Sequence, residues 1–130
     1  MKEIFERVNT SVDYMKSQGV NELDVGLILG SGLGKIAELI EDPIVIPYKD
    51  IPNFLESTVE GHMGQFVYGT LNGKKVLAQQ GRFHFYEGYS MQEITIPVRM
   101  IKALGAHSII VTNAAGGVNE SFEPGNLMMI

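Results

Sequence analysis

Arg82-Phe83-His84-Phe85-Tyr86 sets a cation, an imidazole and a phenol at alternate positions, with two phenyl rings between them. In an extended chain, side chains alternate between faces. Arg82, His84 and Tyr86 then share one face, and Phe83 and Phe85 point into a core. A guanidinium offers a planar fork of donors that matches phosphate oxygens. A second stretch, Gly30-Ser31-Gly32-Leu33-Gly34, leaves backbone N–H groups open and lets an anion approach closely. Ser31 adds a hydroxyl donor. Asn113 to Gly117 forms a third small-residue loop. Together these groups suit an oxyanion of about sugar size.

Each feature has a plainer reading. A glycine-rich turn alone fits a tight turn equally well, and Ser31 fits the cap of a following helix. A lone arginine commonly ends in a surface salt bridge. Glu87 either fixes the His84 tautomer or is solvated. His62 sits in a glycine-punctuated loop, and His107 has no polar constellation near it. Lys35 stands where a dinucleotide fingerprint needs its third glycine, and a P-loop would need glycine at Leu29 and Ser or Thr at Ile36. Ser31 lacks the GxSxG elbow of a hydrolase nucleophile. With no cysteine and three histidines outside HxxxH spacing, a metal site is not expected.

The positioning elements read as follows. Ile4, Phe5, Val8, Val12 and Met15 follow helical spacing, which predicts a helix over about 2–18 stopped by Gly19. Val25 to Leu29 predicts a buried strand. A short helix over 33–41 is expected after the glycine turn, ended by Pro43. A strand is expected at 44–46, and residues 47–65 read as loop. Asn72-Gly73 between apolar runs predicts a hairpin. Ser90 and Glu93 form a capping box that opens a helix to Leu104, with Ile94, Val98, Ile101 and Leu104 inward and a kink at Pro97. Residues 108–112 read as a second buried strand and 127–130 as a further one. The order predicts an α/β fold: a mixed, largely parallel sheet flanked by helices. An apolar run at the very end of the sequence predicts that this is the N-terminal portion of a single, longer domain.

At 130 residues one domain is expected. A net charge of −5, from 15 acidic and 10 basic residues, argues against a nucleic-acid partner. No apolar run approaches the ~20 residues that cross a bilayer, so no membrane partner is expected. The first seven residues mix charges and lack a signal-peptide core. Cytoplasmic localisation is the expectation.

The strings GLILGSGLG, DIPNF, STVEGHMG, QGRFHFYEGY, PVRMIKALG, VTNAAGGVN and PGNLMMI, in this order, closely resemble the trimeric purine nucleoside phosphorylases from about Val25 to Ile130. The resemblance implies a phosphorylase/hydrolase-like fold whose C-terminal part is missing here. It also implies reversible phosphorolysis: purine nucleoside plus phosphate gives free base plus ribose 1-phosphate. Phosphate is then a co-substrate, no cofactor is needed, and the full-length protein is a homotrimer. By resemblance, Ser31, His62, Arg82, Phe83, His84, Asn113 and Ala114 bind phosphate. His84 is the catalytic residue, and Tyr86 faces the ribose. Asn126 stands where the family usually has aspartate. The base-holding residues are expected beyond this chain, leaving 6-oxopurines as the substrate class that the resemblance implies. The other readings are a silent phosphate- or nucleoside-binding module and a structural half-domain that needs a partner.

Overall fold

The computed structural model describes residues 2–56 and 63–130. Helix α1 spans Lys2–Ser17 and buries Ile4, Val8, Val12 and Met15 of the predicted stripe, while Phe5, its fifth member, is exposed. Gly19, at φ 103°, ends it in a left-handed conformation. Among the described residues five strands follow: β1 (Val25–Leu29), β2 (Glu41–Pro47), β3 (Gln65–Leu71), β4 (Lys74–Gln80) and β5 (Ser108–Val111). They form one sheet in the order β2-β3-β4-β1-β5. Pairs β2/β3 and β3/β4 are antiparallel, and pairs β4/β1 and β1/β5 are parallel. The β3–β4 hairpin turns at Asn72 (φ 49°) and Gly73 (φ 75°). Both have the positive φ that a tight two-residue hairpin turn requires.

Strand alternation sorts the core into two layers. Phe66, Tyr68, Leu77 and Ile28 pack beneath α1 and the helix α3 (Ile96–Ala103) with Met15, Met100 and Ile101. Leu27, Leu29, Val67, Val76 and Ala78 face the opposite way, against Ala37 and Ile40. Gly26 lies under α3: a Cβ there would stand 2.5 Å from Ile101 Cγ2. Only glycine lets the helix sit this close to β1.

Several expectations are corrected. The segment after the glycine turn is a 3-10 helix, Gly34–Leu39, and β2 begins at Glu41, so Pro43 lies inside a strand. It is tolerated there because β2 is an edge strand whose register shifts between Glu41 and Ile44, with Asp42 at φ 49°. Within the segment read as loop, Tyr48–Asp50 forms a short 3-10 turn. The predicted helix after Ser90 is two pieces, α2 (Met91–Ile94) and α3, joined at Thr95. Pro97 falls in the first turn of α3, where its missing N–H is harmless. Val98 faces outward, while Ile96 and Met100 take the inward places. β5 is exposed along its length rather than buried. Residues 127–130 are not a strand: no described strand pairs with them, and Leu127, Met129 and Ile130 are fully open. Asn126 instead closes a turn, its Oδ1 accepting from Glu123 N–H at 3.0 Å. Among the described residues no helix is long and apolar enough to cross a membrane.

The capping box forms as predicted. Glu93 N–H donates to Ser90 Oγ at 3.2 Å, and Ser90 N–H donates to Glu93 Oε2 at 2.9 Å. Arg7 Nη1 reaches Glu93 Oε1 at 3.1 Å and ties α1 to α2. The Ser90 N–H, then the Ser90 hydroxyl, hold the Glu93 carboxyl below its usual range; the Arg7 contact adds to this. A carboxyl depressed in the folded state stabilises above its unfolded pKa and loses that stabilisation as pH falls through the folded value. Glu93→Gln keeps a capping-box side chain but loses the charge, and is therefore expected to cost about 0.5 kcal/mol at pH 7, as for a solvent-screened pair, and less at strongly acid pH. Urea unfolding at the two pH values checks this, and an equal cost at both would refute it.

Candidate functional site

Register brings three loops to one end of the sheet. Leu29 pairs with Gln80 in β4, and Ile28 pairs with Val111 in β5. The chain therefore leaves β1, β4 and β5 side by side, where open α/β sheets bind ligands. A cleft of about 270 Å3 opens there. Gly30, Ser31, Gly32, Gln80, Arg82 and His84 line it, with Met63 at one side.

Arg82 is set by its neighbours in sequence. The Phe83 ring is buried against Tyr48, Phe54 and Tyr89, at centroid distances of 5.0, 6.0 and 5.7 Å. The Tyr48 hydroxyl donates to the Gly81 carbonyl at 2.5 Å. Burial pushes the Tyr48 phenol far above its usual range, a shift that Gln79 opposes weakly, so Tyr48 stays a donor. With both flanks fixed, the guanidinium turns to the cleft. Its Nη1 donates to Thr112 O at 3.1 Å and its Nε to His84 Nε2 at 3.4 Å. Neither partner is a carboxylate, so this is not the surface salt bridge of the plainer reading.

His84 is oriented from its other side. Its Nδ1 lies 3.0 Å from Glu87 Oε2, and its backbone N–H donates to the same oxygen at 2.6 Å. The Glu87 side chain is only 3% exposed, so it is not the solvated acid of the plainer reading. A guanidinium can only donate, so the Arg82 contact leaves Nε2 as an acceptor and puts the ring proton on Nδ1. Residues 85–87 form a 3-10 turn rather than continuing extended. That turn stacks the Tyr86 ring on His84 at 4.7 Å and 15°. It also throws Phe85 outward, 63% exposed, against the expectation of a core position.

The glycine turn is held from both neighbouring strands. Gly30 N–H donates to Thr112 Oγ1 at 3.0 Å, and Gln80 Nε2 donates to Gly34 O at 2.9 Å. Ser31 is exposed on the cleft and is not a helix cap, because the following 3-10 helix starts after Leu33. The structure thus brings together Ser31, Arg82 and His84, with Tyr86 stacked beside them. Phe83, Asn113 and Ala114 are not among the lining residues. Asn113 points its amide at its neighbour, Nδ2 donating to Ala114 O at 3.3 Å, although its Cα packs beside Gly30. His62 lies outside the described residues. Thr112, Gln80 and Tyr48 escaped the sequence reading. A hydroxyl just past an apolar strand and an amide just before Gly81 were the available signals. Among the described residues no group of three or more His, Asp or Glu could hold a metal. Chemically, the cleft combines fixed N–H and O–H donors, one cation and one imidazole acceptor.

The phosphorylase superfamily profile matches residues 24–130. Purine nucleoside phosphorylase 1 of Geobacillus stearothermophilus is 59% identical over 123 residues, covering 95% of this chain and 45% of that protein. The Bacillus subtilis protein of the same name is 56% identical over 125 residues, covering 96% and 46%. The crystal structure of isoform 2 of purine nucleoside phosphorylase from Schistosoma mansoni, in complex with cytosine and ribose-1-phosphate, superposes with a TM-score of 0.82. Its identity is 49%, over 89% of this chain and 41% of that one. The chain spans a little under half the length of the relatives it matches.

Gly30 sits where the two loops touch. A Cβ there would lie 2.5 Å from Thr112 O and 2.8 Å from Asn113 Cα, both backbone atoms that cannot rotate away. Gly30→Ala is expected to cost about 1–3 kcal/mol through overpacking. Gly32→Ala, where no atom lies within 4 Å but φ is 81°, is expected to cost about 1 kcal/mol. Chemical unfolding of both variants checks the ranking.

Proposed function

This chain belongs to the phosphorylase superfamily, and we propose that its protein carries out reversible phosphorolysis of purine nucleosides, with the cleft as the phosphate half of the active site. One observation carries the reading: Arg82, without a carboxylate partner among the described residues, meets the glycine turn and His84 in one cleft. Relatives named for this activity support the reaction class. The Schistosoma mansoni protein, crystallised with ribose-1-phosphate, supports the ligand class.

In this reading the Arg82 fork, the Ser31 hydroxyl and the turn's backbone N–H groups donate to phosphate oxygens. Monohydrogen phosphate also carries one O–H, which can take the place of the long Arg82 Nε contact at the one lone pair of His84 Nε2. The glycosidic bond breaks through a cationic, oxocarbenium-like sugar. A phosphate dianion fixed beneath it stabilises that charge and then attacks the anomeric carbon, releasing the purine. Positioning the anion in advance replaces a chance encounter, and donors fixed before the reaction need no reorganisation. Phosphate is itself the nucleophile, so the step needs no organic cofactor. Tyr86 is assigned to the ribose. His62, Phe83, Asn113 and Ala114 keep their phosphate roles on the family resemblance alone.

We further infer that the chain is the N-terminal portion of one phosphorylase domain, and that the whole protein is a cytoplasmic homotrimer acting on 6-oxopurines. The purine-holding groups then lie outside these residues. The chain alone is expected to bind inorganic phosphate and to show negligible inosine phosphorolysis. Arg82→Ala is expected to weaken phosphate about 10- to 100-fold, the range for a charged hydrogen-bond donor. Titration calorimetry with phosphate and a coupled assay with inosine measure the two. Unchanged phosphate affinity in the variant would remove the basis of the assignment, and robust turnover by the chain would overturn its division into halves.

A further inference from the structure

We propose that Thr112 and Gln80 are positioning residues for the anion cleft, pinning the two ends of the glycine turn and freeing one backbone carbonyl to aim Arg82. The inference rests on the reading of the cleft as a phosphate site. It starts from the ladder between β1 and β5. Thr112 N–H donates to Ile28 O at 3.0 Å, continuing the parallel pairing by one residue beyond Val111. In a parallel ladder the next bond runs from the residue two further along the first strand back to the same partner. That bond would take Gly30 N–H to Thr112 O.

It does not form that way. Gly30 N–H donates instead to Thr112 Oγ1 at 3.0 Å, and the same hydroxyl donates to Ile28 O at 2.9 Å. The side chain substitutes for the backbone at the point where the turn leaves the sheet. The displaced carbonyl receives Arg82 Nη1 at 3.1 Å. One threonine thus sets both the first residue of the turn and the guanidinium opposite it. At the other end Gln80 Nε2 holds Gly34 O at 2.9 Å, while Gln80 Oε1 accepts from Gln65 Nε2 at 2.8 Å. That second bond fixes which way the amide points. Both pins are uncharged, so neither competes with an anion for Arg82. Their effect is to remove freedom from the turn before the ligand arrives.

Thr112→Val keeps the shape and removes the hydroxyl. Gly30 N–H then returns to the carbonyl and competes with Arg82. Inorganic phosphate affinity, measured by calorimetry on the whole chain, is expected to fall about tenfold, with the thermal midpoint held within about 4 °C. Thr112→Ser restores the hydroxyl and is expected to restore the affinity. Gln80→Met removes the second pin and is expected to weaken phosphate by a similar factor. Parental affinity in Thr112→Val and Gln80→Met overturns the proposal, as does a Thr112→Ser variant as weak as Thr112→Val. Amide hydrogen exchange at Gly30 reads the first pin without any ligand. Faster exchange at Gly30 in Thr112→Val supports the pin, and unchanged exchange overturns it. A parent chain that binds no phosphate, but whose Gly30 amide responds to Thr112→Val, sinks the phosphate reading while the pin stands.

Discussion

Parallel pairing of β4, β1 and β5 in a common register sets where each loop of the cleft begins. Because Leu29 lies opposite Gln80 and Ile28 opposite Val111, three chain exits open at the same level. Polar groups from residue 80, at the end of β4, and from residues 30, 82, 84 and 112, just past the strand ends, then meet. A one-residue slip in a strand would turn its side chains to the opposite face. The two core layers forbid it: Leu27 and Leu29 belong to one, and Ile28 to the other. The burial pattern of a few aliphatic residues therefore fixes the geometry of groups that make no apolar contact.

The charged part of the cleft is anchored by uncharged parts. Phe83 and Tyr48 sit in an aromatic cluster with Phe54 and Phe66, and the Tyr48 hydroxyl holds the carbonyl just before Arg82. His84 gains its orientation from a nearly buried carboxylate three residues on. The side chains facing the opening are thus held from behind, through their backbone or their far edge. Their ligand-facing atoms stay open.

Much of this was legible in the sequence where a local rule acts alone. The apolar stripe of α1, the run Val25 to Leu29, the Asn72-Gly73 turn and the Ser90–Glu93 cap each follow from spacing or turn chemistry within a few residues. The shared face of Arg82 and His84 was legible for the same reason. What failed involved partners distant in sequence or not present at all. Phe85 points outward because a 3-10 turn interrupts the alternation. Pro43 sits in a strand because β2 is an edge with a bulge. β5 is exposed and 127–130 unpaired, because an apolar run becomes a buried strand only where another element covers it. Thr112 was invisible because its role depends on a glycine 82 residues earlier. The family resemblance came from motif strings rather than from any of these rules. It reached residues, such as Ala114 and Asn113, that the cleft does not include.

The stack of Tyr86 on His84 has an optical consequence. The chain has no tryptophan and five tyrosines, so its longest-wavelength ultraviolet absorption and emission arise from phenols. One of the five lies in ring contact with the His84 imidazole, which lines the cleft, while Tyr48 is sealed in the interior. An anion arriving beside that imidazole alters the surroundings of a chromophore 4.7 Å away. The molecule carries its own dye at the mouth of the cleft, with an internal reference that the solvent does not reach.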